Sequence, residues 1–136
     1  RALRDYLINR ARSFIFSTDP PAPVAAAATK AIAISCSPEG SRLRELLWSN
    51  IRNLAAALEC PNPESAIIPQ IIGPEIEATL ASSSLLSKGF LVPAIRFPTV
   101  ARGSARLRYT VTAGHSADEI KSLGEAVRNL RSESSE

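Results

Sequence analysis

Histidine occurs once in this sequence, at position 115, and no second histidine or clustered cysteine stands beside it to complete a metal site. His115 precedes Ser116 at an expected helix start and reads as a structural residue. The two cysteines, Cys36 and Cys60, form no C-x-x-C pair and give little support for a disulfide framework, which makes a reducing cytoplasm the default setting. Aromatic residues number seven (one Trp, two Tyr, four Phe), and none alternates with Arg or Lys along a strand as a nucleic-acid stacking platform requires. Nucleic acid is therefore not an expected partner, although the net charge is +3 and the pI about 9.2. No apolar run approaches the roughly 20 residues that span a bilayer, and the alanine-rich stretch 24–34 is interrupted by Thr29 and Lys30, so no membrane is expected. Without a G-x-S-x-G elbow or a glycine-rich phosphate loop, hydrolase and nucleotide-binding readings lose their support.

What is present suffices for a fold. With 136 residues and 45% hydrophobic content, the chain fits one ordinary domain or a piece of a larger one. It opens at Arg1 inside an amphipathic pattern, and is expected to begin partway along a longer protein. Helical spacing over 3–12 is followed by the short β-like run Ser13-Phe14-Ile15-Phe16. Prolines 20 and 21 suit a first helical turn and predict a helix over 20–35, with small side chains at Ala22 and Ala25 to Ala28 fit for close approach to a neighbour. After a break at Ser37 to Gly40, a stripe of Leu43, Leu46, Leu47, Ile51, Leu54 and Leu58 predicts the most secure helix.

Beyond Cys60 to Pro63 the pattern changes period. Ala66 to Ile72 reads as a strand, with Pro69 marking an edge or a bulge. Residues 75–88 form a weaker helix stopped by Gly89, and Phe90 to Ile95 resumes as a strand. From 106 to 111, Leu107, Tyr109 and Val111 alternate with Arg106, Arg108 and Thr110, the period of a half-buried strand. Ser116 to Glu119 matches a capping box ahead of Ile120, Leu123, Val127 and Leu130, and 131–136 is a frayed tail. The expected class is α/β, layered as α+β: a small, mostly antiparallel sheet covered by helices.

The tract 92–108 places four arginines on two strands and the proline-stiffened loop between them. Taken by composition, Arg106 and Arg108 are the solvated face of an edge strand. A strand-borne arginine is also shaped to grip a carboxylate, because its planar fork donates two charge-assisted hydrogen bonds. Composition leaves both open.

The tract VPAIRFPTVARGSARLRYTVTAGH resembles the C-terminal signature of the α-oxoamine synthase family, and DYLINRARSFIFSTDPP resembles the segment that follows that family's catalytic lysine loop. With LWSNIRNL and SAIIPQIIG between them, the resemblance covers nearly the whole chain. It is strongest to the branch that makes 8-amino-7-oxononanoate, ahead of the siblings making aminolevulinate, aminoketobutyrate or ketosphinganine.

The resemblance implies the C-terminal portion of a fold-type I pyridoxal 5'-phosphate (PLP) enzyme, homodimeric when complete, that condenses L-alanine with a pimeloyl thioester. Residues 1–39 would link from a PLP-binding large domain, and 40–136 would form the small domain. Arg108 would bind the amino-acid carboxylate, and Ile95, Arg96, Pro98, Thr99 and Val100 would line the acyl-substrate channel. Ser17 and Thr18 would lie near the PLP phosphate. The family's lysine, its pyridinium-pairing Asp and its ring-stacking His fall upstream, so the chain alone is expected to be inactive. Lys30, Lys88 and Lys121 read as solvent-facing. Phe97 and Ala101 stand where the family commonly has proline, and Asp19 stands where a small neutral residue is usual: pointing inward it would weaken PLP binding, and the alternative is that it caps the helix beginning at Pro20. The competing reading is a noncatalytic module that uses the arginine face to bind a carboxylate or a protein.

Overall fold

The structure, a computed structural model, describes residues 1–17 and 19–133. Its chain divides into two compact units, Arg1–Gly40 and Ser41–Glu136.

The first unit is helical. Helix α1 covers Ala2–Arg10 and α2 covers Arg12–Ile15, with Ala11 extended between them. The expected β-like run at 13–16 is thus helical: the amides of Ile15 and Phe16 bond back to the carbonyls of Ala11 and Arg12 at 3.0 Å each. A strand needs a ladder to join, and among the described residues of this unit there is none. Helix α3 spans Ala22–Ser35 and buries none of its residues. Pro21 is its N-cap and no side chain caps it, so of the two alternatives for Asp19 the capping one is not realised. The break expected at Ser37 to Gly40 is instead a helix start. Ser37 Oγ accepts from the Gly40 amide at 3.3 Å and donates to the Ile34 carbonyl at 2.7 Å, capping α4 (Pro38–Ala57) with proline in the first turn. A Cβ at Gly40 would lie 2.4 Å from the Ile34 oxygen, so glycine permits this tight helix-to-helix turn.

The second unit holds the sheet. Strands β1 (Ile67–Gly73), β2 (Ala94–Ile95) and β3 (Ala105–Thr110) lie in the order β1-β3-β2, antiparallel throughout. The arginine-bearing strand is therefore central, not an edge. The reach of β2 is shorter than the expected 90–95 strand, because helix α5 (Glu75–Ser87) claims the preceding backbone. Gly89 sits at φ +90°, its amide bonds to Leu86 and that of Phe90 to Leu85, a Schellman closure; Ser82 Oγ donates to the Val92 carbonyl at 2.6 Å.

Period two on β3 gives one buried face. Ala105, Leu107 and Tyr109 point into a core with Ile68 of β1, Leu85 of α5, Ile51, Leu54 and Leu58 of α4, and Ile120 and Val127 of α6 (Ala117–Glu133). Tyr109 Oη donates to Gln70 Oε1 at 2.6 Å on this inner face. Only the later turns of α4 join the core; Leu46, counted in its stripe, is exposed. A Cβ at Gly124 would come within 2.7 Å of the Ala57 Cβ, so the missing side chain sets how closely α6 approaches α4. In place of a wholly frayed tail, α6 continues to Glu133.

The central pairing also settles Pro69. The Arg108 amide donates to the Pro93 carbonyl at 3.1 Å, so the polar main-chain groups of Arg108 turn toward β2. Its β1 partner Pro69 consequently turns its backbone to the open edge, where a proline has no ladder donor to lose. A bulge interrupts β1 between Ile71 and Gly73.

Helix α4 ends with the same closure as α5, but on a glutamate. Glu59 has φ +57°, its amide bonds to Ala56 and that of Cys60 to Ala55. Because the left-handed conformation costs a non-glycine residue roughly 1 kcal/mol, Glu59→Gly is expected to stabilise the chain by up to about that amount in urea denaturation; an unchanged or lower midpoint would contradict this account. A second expectation concerns the capping box of α6. The Glu119 carboxylate accepts from the Ser116 amide at 2.7 Å and from its hydroxyl at 3.0 Å, while Ser116 Oγ accepts from the Glu119 amide. The Ser116 amide, then its hydroxyl, with a smaller contribution from the nearby His115 charge, hold the Glu119 carboxyl below its ordinary pKa. A depressed folded pKa means stability that is present above the unfolded value and lost as pH falls through the folded one. The urea midpoint of the wild type should thus exceed that of Glu119→Gln at neutral pH, and the gap should close in acid.

Candidate functional site

Residues that face each other across an antiparallel ladder share a face, so the register defines the outer surface of the sheet. Arg108 lies between Pro69 on β1 and Pro93, just before β2; Arg106 lies between Ile71 and Ile95. Ile67, opposite Thr110, completes the surface, which is aliphatic and open: Ile67 is 50% and Ile71 67% exposed. The two arginines differ in state. Arg106 is half-buried, and its Nε donates to the Ser104 carbonyl at 3.2 Å, folding it onto its own turn. Arg108 is exposed, and among the described residues its guanidinium has no hydrogen-bond or carboxylate partner. Flanked by two rigid prolines and fixed by a doubly paired main chain, it presents a fork to whatever meets this face.

The loop after β2 carries the other predicted residues. Ile95 is half-buried on β2, Arg96, Pro98 and Thr99 are exposed, and Val100 is half-buried. The amides of Thr99 and Val100 both bond to the Arg96 carbonyl, closing the loop on itself, and the Phe97-Pro98 peptide is cis. Arg96 Nη1 reaches Thr79 Oγ1 on α5 at 3.5 Å. The hairpin thus brings Ile95, Arg96, Pro98, Thr99 and Val100 beside the strand that carries Arg108. Ser17 is exposed in the first unit, and Thr18 lies outside the described residues. Lys30, Lys88 and Lys121 are exposed. A cavity of about 280 Å³, lined by Leu54, Val92, Tyr109 and Ile120 among others, backs onto the inner side of the sheet and contains none of the predicted site residues.

One structural residue behind the exit of β3 carried no role in the sequence pattern. Asn50 is buried at 3% exposure, and its Nδ2 donates to the carbonyls of Thr112 (3.2 Å) and His115 (2.9 Å). It anchors the turn that leaves β3, which His115 also braces by accepting the Thr112 amide at Nδ1. The signal was a polar residue at a stripe position, three after Leu47 and four before Leu54. Among the described residues no cluster of metal-ligating side chains exists, and no helix is long and apolar enough to cross a membrane.

Comparison with known proteins agrees with this architecture. The chain is 40% identical over 135 residues to the 8-amino-7-oxononanoate synthase of Trichlorobacter lovleyi, covering 96% of this chain and 34% of that protein. It is 44% identical over 122 residues to that of Citrifermentans bemidjiense, covering 86% and 31%. The chain thus spans about a third of the length of the curated relatives it matches. Among solved structures, Sphingomonas wittichii serine palmitoyltransferase superposes with a TM-score of 0.78 at 25% identity over 95% of this chain and 35% of that one. A structure of SPT with PLP gives 0.80 at 26%, over 94% and 34%. The 8-amino-7-oxononanoate synthase of Francisella tularensis shares the fold, with a TM-score of 0.71 at 22% identity over 98% of this chain and 40% of that one. The family profile of aminotransferase class I and II matches residues 1–127, and with the α-oxoamine signature in its hairpin the chain belongs to that family.

Proposed function

We propose that this chain supplies the amino-acid grip and part of the acyl-donor wall of a PLP-dependent C-acyltransferase. The reaction joins L-alanine to a pimeloyl thioester and gives 8-amino-7-oxononanoate. The observation that carries the reading is Arg108, an exposed fork on the central strand between Pro69 and Pro93. The names of the 40–44% identical relatives support 8-amino-7-oxononanoate as the product.

In that reaction the alanine Cα bonds to the acyl carbonyl carbon, the carbon–sulfur bond breaks to release the thiol with a proton, and the alanine carboxylate leaves as carbon dioxide. PLP, when bound, supplies the electron sink for the charge that develops on Cα. Arg108 holds the carboxylate and so orients the bond that is to break. Ile95, Pro98 and Val100 offer an aliphatic wall to the acyl chain, with Arg96 and Thr99 at its polar margin. The hydroxyls of Ser17 and Thr18 suit a phosphate and serve it across the interface of a cytoplasmic homodimer. Lys30, Lys88 and Lys121, exposed on the helices or at a helix end, are given no part as the covalent anchor of the cofactor. On this reading that anchor belongs to a large domain joined through residues 1–39, and the chain alone, without it, is inactive.

Arg108→Ala in the complete enzyme should raise KM for alanine roughly 10- to 100-fold, the loss of a charge-assisted contact, with KM for the thioester far less affected. Arg108→Lys keeps the charge but loses the fork and should recover only part of it. Unaltered alanine kinetics in Arg108→Ala would remove the carboxylate assignment.

A further inference from the structure

The hairpin loop presents a second cation that the carboxylate grip does not use. Arg102 sits at the tip of the turn Ala101 to Ser104, closed by the Ser104 amide on the Ala101 carbonyl at 3.1 Å with Gly103 at φ +72°. Its guanidinium carbon lies 4.2 Å from the centroid of the Phe97 ring, a cation–π seat across the loop. The turn orders the main chain, and the ring gives the guanidinium a favoured position. Among the described residues no carboxylate lies within ion-pair distance of Arg102, and the residue is exposed. Arg96, at the other end of the same loop, is turned toward Thr79 on α5. Arg102 is thus the cation that this loop offers outward, beside the wall assigned to the acyl donor. Its seat depends on Phe97, an aromatic side chain that a proline at that position would not provide.

We propose that Arg102, positioned by Phe97, binds an anionic group of the acyl thioester and sets donor specificity; this rests on the acyltransferase reading above. A long cation normally loses rotamer freedom when it grips a ligand, and a ring that already orders it reduces that loss. Two parts of a pimeloyl thioester carry the required charge: the free carboxylate at the far end of the acyl chain, and the phosphates of a nucleotide-type carrier. Both are acceptors for the same fork.

The test compares Arg102→Gln, Arg102→Lys and Phe97→Leu with the unaltered complete enzyme. The donors are pimeloyl-coenzyme A, heptanoyl-coenzyme A, which lacks the carboxylate, and pimeloyl-N-acetylcysteamine, which lacks the phosphates. With pimeloyl-coenzyme A, Arg102→Gln should raise the thioester KM roughly tenfold while KM for alanine holds, the cost of one charged hydrogen bond. Arg102→Lys should recover part of the loss, and Phe97→Leu should give a smaller rise of the same kind. If the effect of Arg102→Gln disappears with heptanoyl-coenzyme A, the carboxylate is the ligand; if it disappears with the cysteamine thioester, the phosphates are. A thioester KM unchanged by Arg102→Gln for all three donors overturns the inference and leaves the acyltransferase reading standing. Failure of the unaltered enzyme to release thiol with alanine overturns both.

Discussion

Hydrogen bonding along both edges of β3 is the constraint from which the rest follows. Ala105–Thr110 pairs with β1 on one side and β2 on the other, so neither its register nor its facing can slip without breaking two ladders. Because side chains alternate, that fixed register sends Leu107 and Tyr109 into the core and Arg106 and Arg108 out of it. Fold and candidate site are consequences of one pairing, with the core holding the strand steady and the strand aiming the arginine.

Around this strand the connecting segments are tied down by individual polar contacts. Ser82 fastens the approach to β2 onto α5, Asn50 and His115 fasten the exit from β3, and the Schellman closures at Gly89 and Glu59 finish the helices on either side of β1. Each contact satisfies backbone groups that would otherwise be left without partners as the chain changes direction. The loop carrying Pro98 and Thr99 is held in a similar way by its own Arg96 carbonyl. The proposed acyl wall therefore stands on an ordered support.

Local chemistry was legible in the sequence wherever it was self-contained. The Ser116 and Glu119 box, the cap at Gly89 and the period-two face of β3 depend on residues within a few positions of one another, and each is found where the pattern placed it. What could not be read depends on distant partners. Ser13 to Phe16 has strand-like composition but no ladder to join. Phe90 to Val92 looks like strand, yet its backbone is taken by Leu85 and Ser82. The place of β3 at the centre of the sheet requires knowing where β1 and β2 pair, and no window of sequence contains that. The same holds for the site: Arg108 was recognisable as a candidate, whereas its setting between Pro69 and Pro93 is a product of register. Glu59 gave no warning, since a glutamate carries no signal for a left-handed turn.

The open edge of β1 bears on how this molecule meets copies of itself. Of the amides that alternation turns outward along that strand, Ile67 gives its own to Ser65 Oγ, whose hydroxyl also covers the Ile67 carbonyl, and Pro69 has none to give. The bulge past Ile71 then breaks the line. An incoming strand would find no continuous row of donors along this edge, although the adjoining outer face is rich in isoleucine. The edge is thus guarded against strand addition by local chemistry while the face beside it stays apolar.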